Sequence, residues 1–235
     1  MKIAGLQKMT LLDYPGKVAC TVFLPGCNFC CPFCHNAELL GGEVPTPMDD
    51  QELLAFLEKR RGILDAVCIT GGEPTLHPGL GDLVRAIKKM GYLVKLDTNG
   101  YRPNVLKQLA ADGVLDYVAM DIKNSPARYA ETAGIIAIDL TAIEESMTFL
   151  MEGDLDYEFR TTVVAQLHSQ ESIHEMSDWV GNLVPGRKAK RFFLQPFVDR
   201  DTVEYSGLSA PTQEELDHYI LCLKAIAEIA EIRGQ

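Results

Sequence analysis

The sequence has no apolar run approaching the roughly 18 residues that a membrane-spanning helix needs. Its N-terminal stretch, MKIAGLQKMTLLDYPGKVACTVFLPG, also lacks the uninterrupted apolar segment of a secretion signal, because Asp13, Pro15 and Lys17 break it. A cytoplasmic protein with no membrane partner is expected. Positive charge is scarce as well: 22 Lys plus Arg stand against 33 Asp plus Glu, a formal net charge of −11. No local basic cluster offsets that deficit, so no nucleic-acid partner is expected. Internal repeats are absent, and no Pro/Gly/Ser linker is long enough to divide the chain. With 47% apolar and 23% charged residues among 235, the composition is that of an ordinary globular protein. The expectation is a single domain over 1–235, with its core at 18–200 and a C-terminal helix at 212–232. A chain this long buries roughly 70 to 75% of its unfolded surface, so its core needs no disulfide or metal staple. A metal here would serve chemistry.

Cysteine is the conspicuous presence. Four of the seven crowd into C-N-F-C-C-P-F-C-H-N as Cys27, Cys30, Cys31 and Cys34, too tightly for a secreted disulfide framework. Clustered thiols in a reducing compartment point to metal ligation. The loop permits two ligand sets: Cys27, Cys31 and Cys34, or two Cys-x2-Cys pairs using all four. Adjacent Cys30 and Cys31 in an extended loop send their side chains in opposite directions, which favours the set of three and makes Cys30 the spare. Four thiolates complete a closed tetrahedral site, whereas three leave one iron of a cubane cluster open to a substrate. No cysteine occurs in 36–64, so one cluster is expected. Cys20, Cys68 and Cys222 fall in apolar segments and read as small buried hydrophobes.

Short β-branched runs at 18–23, 66–70, 93–97, 117–121, 157–164 and 191–195 read as strands. Between them, 49–61, 79–90, 103–111, 141–151 and 169–184 carry apolar residues at three-to-four-residue spacing, as helices do. Asp49 with Glu52 and Thr212 with Glu215 are capping pairs, and Pro103 suits a first helical position. Strands alternating with helices imply βαβ units and a parallel sheet, with six units too few for a full eightfold barrel. The stretches 41–47 and 199–211 read as substantial loops able to cover a site, and 124–140 fits neither template. The cysteine loop follows the first strand, Gly71-Gly72-Glu73-Pro74 the second, Asp97-Thr98-Asn99-Gly100 the third, Asp121-Ile122-Lys123 the fourth and Gln195-Pro196 the sixth. In parallel α/β folds, ligands sit at the carboxyl ends of strands, so this order predicts one shared site.

The spacing Cys-x3-Cys-x2-Cys, with aromatic Phe33 before the last cysteine, resembles the signature of the radical S-adenosylmethionine superfamily. The stretches CPFCHN, GGEP, LDTNG and MDIK, spanning Cys27 to Lys123, resemble in order and spacing the single-cluster activating enzymes of glycyl radical enzymes. The opening of the chain is similar to the branch that activates anaerobic ribonucleoside-triphosphate reductase. The resemblance implies an α/β fold, a partial TIM barrel of about six βα units. It implies that Cys27, Cys31 and Cys34 hold a 4Fe-4S cluster whose open iron is chelated by S-adenosylmethionine. Reductive cleavage then yields a 5′-deoxyadenosyl radical that takes hydrogen from a glycine of a partner protein. Cofactor contacts are implied for Phe33, His35, Gly71, Gly72, Glu73, Thr98, Asn99, Asp121, Lys123 and Arg160. A monovalent cation is implied near Asp97, Thr98, Met120 and Asp121, and flavodoxin or ferredoxin as electron donor. Where relatives place a His after the sixth strand, this chain has Pro196-Phe197-Val198.

Plainer readings compete. Gly-Gly after a strand is commonly a turn, and Asp97-Thr98-Asn99-Gly100 can be only a turn before a helix. Asp121 and Lys123 alternate on a strand and share a face, so they need mutual compensation or a ligand. His35 reads either as a site residue or as a loop-stabilising donor; His77, His168, His174 and His218 read as surface or local structure. Two other functions fit the cysteines: a radical enzyme acting on a small molecule or peptide, and a non-catalytic iron-sulfur electron carrier, which requires Cys30 as the fourth ligand.

Overall fold

The computed structural model describes residues 1–41 and 44–234, so part of the 41–47 loop expected from the sequence lies outside the described residues. Contacts group the chain into two compact units. The first comprises Met1–Asn28, Glu38–Thr98 and Asn104–Ala119; the second comprises Phe29–Ala37, Asn99–Pro103 and Met120–Gln235.

In the first unit, β1 (Lys2–Ile3) pairs antiparallel with β4 (Met48–Asp49), and β2 (Gly5–Thr10) pairs antiparallel with β3 (Ala19–Leu24). Strand β3 is parallel to β5 (Ala66–Gly71), which is parallel to β6 (Leu93–Thr98). Helix α1 (Asp50–Glu58) lies between β3 and β5 in the chain, and α2 (Leu80–Lys89) between β5 and β6. The register Ala19↔Ala66 through Leu24↔Gly71 carries both strands to a common end, where the cysteine loop and the Gly-Gly turn begin. The strands are almost wholly buried, which is why they read as continuous apolar runs. Helix α2 buries Leu80, Leu83, Val84 and Ile87, an i, i+3, i+4, i+7 stripe whose burial contributes roughly 1.5–3 kcal/mol per side chain. The Asp49–Glu52 capping box starts α1 as the sequence predicts. Pro103 is the first residue of α3 (Pro103–Ala111).

Strand β7 (Tyr117–Asp121) has its first three residues in the first unit and its last two in the second. The second unit holds α4 (Tyr129–Thr132), α5 (Leu140–Glu152), β8 (Asp156–Val163), α6 (Gln170–Leu183), β9 (Ala189–Pro196), α7 (Gln213–Ile226) and β10 (Ala227–Ile232). Strands β8, β9 and β10 are parallel neighbours in that order. The segment that fitted neither template, 124–140, forms a 3-10 turn (Pro126–Arg128), the single turn of α4 and a bend into α5.

The structure corrects the C-terminal helix expected over 212–232. It ends at Ile226, and Ala227–Ile232 becomes β10, registered Ala227↔Ala189 through Ile232↔Leu194. The run A-I-A-E-I-A-E-I has helical spacing, but the open edge of β9 offers backbone partners that a helix there would leave unused. Arg233 continues the ladder, its N–H donating to the Leu194 carbonyl at 2.8 Å, and its guanidinium forms two 2.9 Å bonds to Glu158. No helix among the described residues is long and apolar enough to cross a membrane.

Candidate functional site

In the first unit, β3 runs into Pro25, Gly26 and Cys27, and the turn after β5 packs directly on that exit. Gly72 N–H donates to Leu24 O and Glu73 N–H to Gly26 O, both at 2.8 Å. Gly71 has φ +118°, and a Cβ on it would overlap the Leu24 backbone; one on Gly72 would overlap the Gly26 carbonyl. The two glycines are therefore required first by the chain's own close approach. His77 Nε2 donates to Pro25 O at 2.7 Å, fixing the same exit from below the turn's own 3-10 helix (Pro74–Leu76). Nothing in the sequence around His77 flags this contact.

Glu73 is 1% exposed. Its Oε1 accepts from Thr75 N–H at 3.0 Å, from the Thr75 hydroxyl, and from the Thr98 hydroxyl at 2.8 Å. All three of these donors are neutral groups. Thr98, expected as a cofactor contact, thus orients Glu73. Asp97 pairs with Lys95, itself 2% exposed.

In the second unit, Cys34 N–H donates to Cys31 O at 3.0 Å. This closes a β-turn with Pro32 at its second position, and because no non-glycine residue has positive φ the turn is type I. Two sulfurs three residues apart are thereby set on one tight turn. Cys31 and Cys34 are partly buried and Cys30 is exposed; none of the seven cysteines forms a disulfide. Burial pushes the Cys34 thiol up, and burial likewise pushes Cys20 up to about 12 and raises Cys68, as suits inert core thiols. Phe33 is 5% exposed and packs with Val164, Leu167, Phe197, Val203 and Leu208, so the 199–211 loop contributes to the cover over the turn. His35 Nε2 donates to Val198 O at 2.7 Å, and its ring stacks on Phe197 at 5.8 Å. The loop-stabilising reading of His35 therefore has a concrete partner.

Asp121 is bracketed by two cations. Lys123 Nζ bonds its Oδ2 and Arg160 Nε its Oδ1, each at 3.0 Å. Burial raises the carboxyl, but the Lys123 and Arg160 charges outweigh it and hold the pKa at about 2. Asn99 accepts from Tyr101 N–H at 3.0 Å, and Ser146 Oγ donates to Gly100 O at 2.6 Å, so this pair forms a side-chain-supported turn. Met120 is fully buried, with its side chain lying where a Cβ on Gly100 would be. His168, expected as surface or local structure, is 3% exposed. It bridges Lys123 O (2.9 Å, Nε2 donating) and Val164 N (3.1 Å, Nδ1 accepting), and burial lowers its pKa. Among the described residues, no three His, Cys, Asp or Glu side chains are grouped to hold a single metal ion.

A family model described as the Radical SAM superfamily matches residues 21–172. A protein of Methanocaldococcus jannaschii named "Putative glycyl-radical enzyme activating enzyme" is 29% identical over 226 residues, 91% of this chain and 88% of that protein. Among solved structures, a domain of pyruvate-formate lyase-activating enzyme from Bacteroides vulgatus superposes with TM-score 0.57 at 18% identity, covering 72% of this chain and 99% of that one. Streptococcus suis SuiB bound to S-adenosylmethionine superposes with TM-score 0.66 at 16% identity, over 91% of this chain and 52% of that one. The shared fold is mixed α/β with a central parallel sheet, a partial TIM barrel.

Proposed function

Since the chain belongs to the radical SAM superfamily, we propose that it is an activating enzyme that cleaves S-adenosylmethionine reductively at a 4Fe-4S cluster and generates a glycyl radical on a partner enzyme. The observation that carries this reading is the Cys31–Cys34 turn, with two thiols on a backbone held in place and Cys30 exposed beside it. The donor set fits the group, since soft thiolates suit iron-sulfur clusters and none of these cysteines is in a disulfide. Cys27, Cys31 and Cys34 would hold it and Cys30 would not. When bound, the cluster supplies the electron that cleaves the sulfonium, giving the 5′-deoxyadenosyl radical that takes hydrogen from the partner's glycine.

The chain's own residues do the positioning. Glu73 accepts a hydrogen bond from the ammonium of the methionyl group. Lys123 and Arg160, each bonded to Asp121, take its carboxylate. Gly71 and Gly72 keep Glu73 against the backbone that leads into Cys27. Phe33 and its apolar neighbours exclude water from one side of the cysteine turn. His35, stacked on Phe197, flanks the cofactor beside Phe33. Asn99 supports the turn after Thr98. Asp97 and Asp121 already hold side-chain cations, so a monovalent ion at Asp97, Thr98, Met120 and Asp121 must compete with Lys95, Lys123 and Arg160. The partner in this reading is anaerobic ribonucleoside-triphosphate reductase, the reductant flavodoxin or ferredoxin, and the compartment the cytoplasm.

The test is anaerobic reconstitution with iron and sulfide, followed by reduction, addition of S-adenosylmethionine, and assay of 5′-deoxyadenosine alongside the cluster's electron paramagnetic resonance spectrum. Product formation should vanish in Cys27→Ser, Cys31→Ser and Cys34→Ser and survive in Cys30→Ser. A cluster lost in Cys30→Ser, or one whose spectrum ignores S-adenosylmethionine, would establish the electron-carrier reading instead. With the reductase present, a glycyl radical signal should appear on the partner.

A further inference from the structure

The backbone of the cysteine turn is not self-supporting. Cys30 N–H donates to Ala133 O at 2.9 Å, at the C-terminal end of α4. Gly134 follows with φ +67°, and a Cβ there would overlap the Cys30 carbonyl and press on the Cys31 amide nitrogen at 3.2 Å. Ala133 and Gly134 thus seat against the peptide linking Cys30 to Cys31. α4 is itself tied down by a fully buried side chain: Asn124 Nδ2 donates to Thr132 Oγ1 and to Leu167 O, each at 2.9 Å, and Asn124 is 0% exposed. Asn124 follows directly on Lys123, and Leu167 packs on Phe33. A continuous buried path runs from the Phe33 cluster through Asn124 and Thr132 to the peptide of Cys31.

We propose that Gly134 and Asn124 are positioning residues for the cysteine turn, and that this clamp sets how firmly the chain retains its iron-sulfur cluster. The inference rests on the proposed function for the cluster but not for the clamp itself. One contrast favours it over a merely structural role. Gly134 needs both a left-handed backbone and a missing side chain, whereas Gly186, also left-handed at φ +80° and in the same unit, has nothing within 4 Å of where its Cβ would stand. The two glycines therefore share a backbone requirement and differ in the contact.

The experiment compares wild type, Gly134→Ala, Gly186→Ala and Asn124→Ala. On the metal-free chain, hydrogen exchange at the Cys30 amide is followed by mass spectrometry. On the anaerobically reconstituted chain, iron and sulfide content, the rate of iron release to a chelator, and the reduced-cluster spectrum are measured. Gly134→Ala should raise both exchange at Cys30 and iron release about tenfold or more, with an altered spectrum, since the added Cβ would displace the Cys30 peptide and loss of its hydrogen bond to Ala133 O is worth roughly that factor. Gly186→Ala should lower the melting temperature to a similar degree and leave both rates at wild-type values. Asn124→Ala, which inserts no bulk, should move both rates the same way by a smaller factor and covers the case in which Gly134→Ala does not fold. Unchanged exchange in Gly134→Ala and Asn124→Ala overturns the clamp. Faster exchange with wild-type iron retention overturns its role toward the cluster. Faster exchange in a chain whose wild type takes up no cluster leaves the clamp standing and sinks the cluster assignment.

Discussion

Two carboxylates stand at strand ends and are treated in opposite ways. Glu73, in the first unit, is almost fully buried and is met by an amide and two hydroxyls, all neutral. Asp121, in the second, is one-third exposed and is met by an ammonium and a guanidinium. Neutral donors meet one carboxylate and charged donors the other, so removing each should carry a different cost.

The contrast can be broken most directly by removing each carboxylate. Asp121→Ala removes the carboxylate bonded by both Lys123 and Arg160, whose side chains are 14% and 15% exposed. Loss of one partner of a buried pair costs about 3–5 kcal/mol, reduced here to about 2–4 by the partial exposure of Asp121. Glu73→Ala leaves the Thr75 amide and the Thr75 and Thr98 hydroxyls without this acceptor and should cost about 1–3 kcal/mol. Urea unfolding of the metal-free chain checks the order, and a larger loss in Glu73→Ala would undo the comparison.

Ligand affinity sharpens it. Glu73→Gln should weaken S-adenosylmethionine and its decarboxylated analogue alike, by about 10–100-fold. Arg160→Ala should weaken S-adenosylmethionine by a similar factor and leave the decarboxylated analogue unchanged. Equal losses for both ligands in Arg160→Ala, measured by calorimetry on the reconstituted protein, would remove the carboxylate assignment.

Acid sharpens it further. Asp121 has a folded pKa near 2, below the ordinary carboxylate value of about 3.9, so the unfolded chain takes up the proton first. Its contribution to stability is complete above about pH 4 and is lost as the pH falls toward 2. Over that window the wild type should lose about 1–2 kcal/mol more than Asp121→Asn, after discounting for solvent screening. Parallel curves would show that the two cations do not depress the carboxyl. The smallest effect belongs to a single neutral donor: Thr98→Val should cost about 1 kcal/mol, with Thr98→Ser recovering most of it.

Much of this was legible in the chain. The six strands of the βα units were readable because each is an apolar β-branched run between helical stripes, and their boundaries fall within a residue or two of those expected. The cysteine turn and the Gly-Gly-Glu-Pro turn announced themselves by composition. The remainder depends on partners distant in sequence. β10 has helical spacing and is a strand because the edge of β9 is available. The 124–140 segment has no period because a single turn of helix and a bend are too short to show one, so the roles of Asn124 and Gly134 appear only when Cys30 is placed beside them. His77 and His168 bond backbone carbonyls, and a carbonyl leaves no trace in a sequence. The glycine requirement at Gly71 and Gly72, both expected as cofactor contacts, is already imposed by the close approach of Leu24 and Gly26.

β10 also bears on how the molecule is made. Until residues 227–232 have been synthesised, β9 presents an unpaired edge, and the two bonds from Arg233 to Glu158 cannot form. Every nascent chain therefore passes through a stage with an open, largely apolar strand able to pair with its neighbours on the same message. Once paired, β10 takes the edge, and its exposed Glu228 and Glu231 put charge where β9 alone would present an apolar strand.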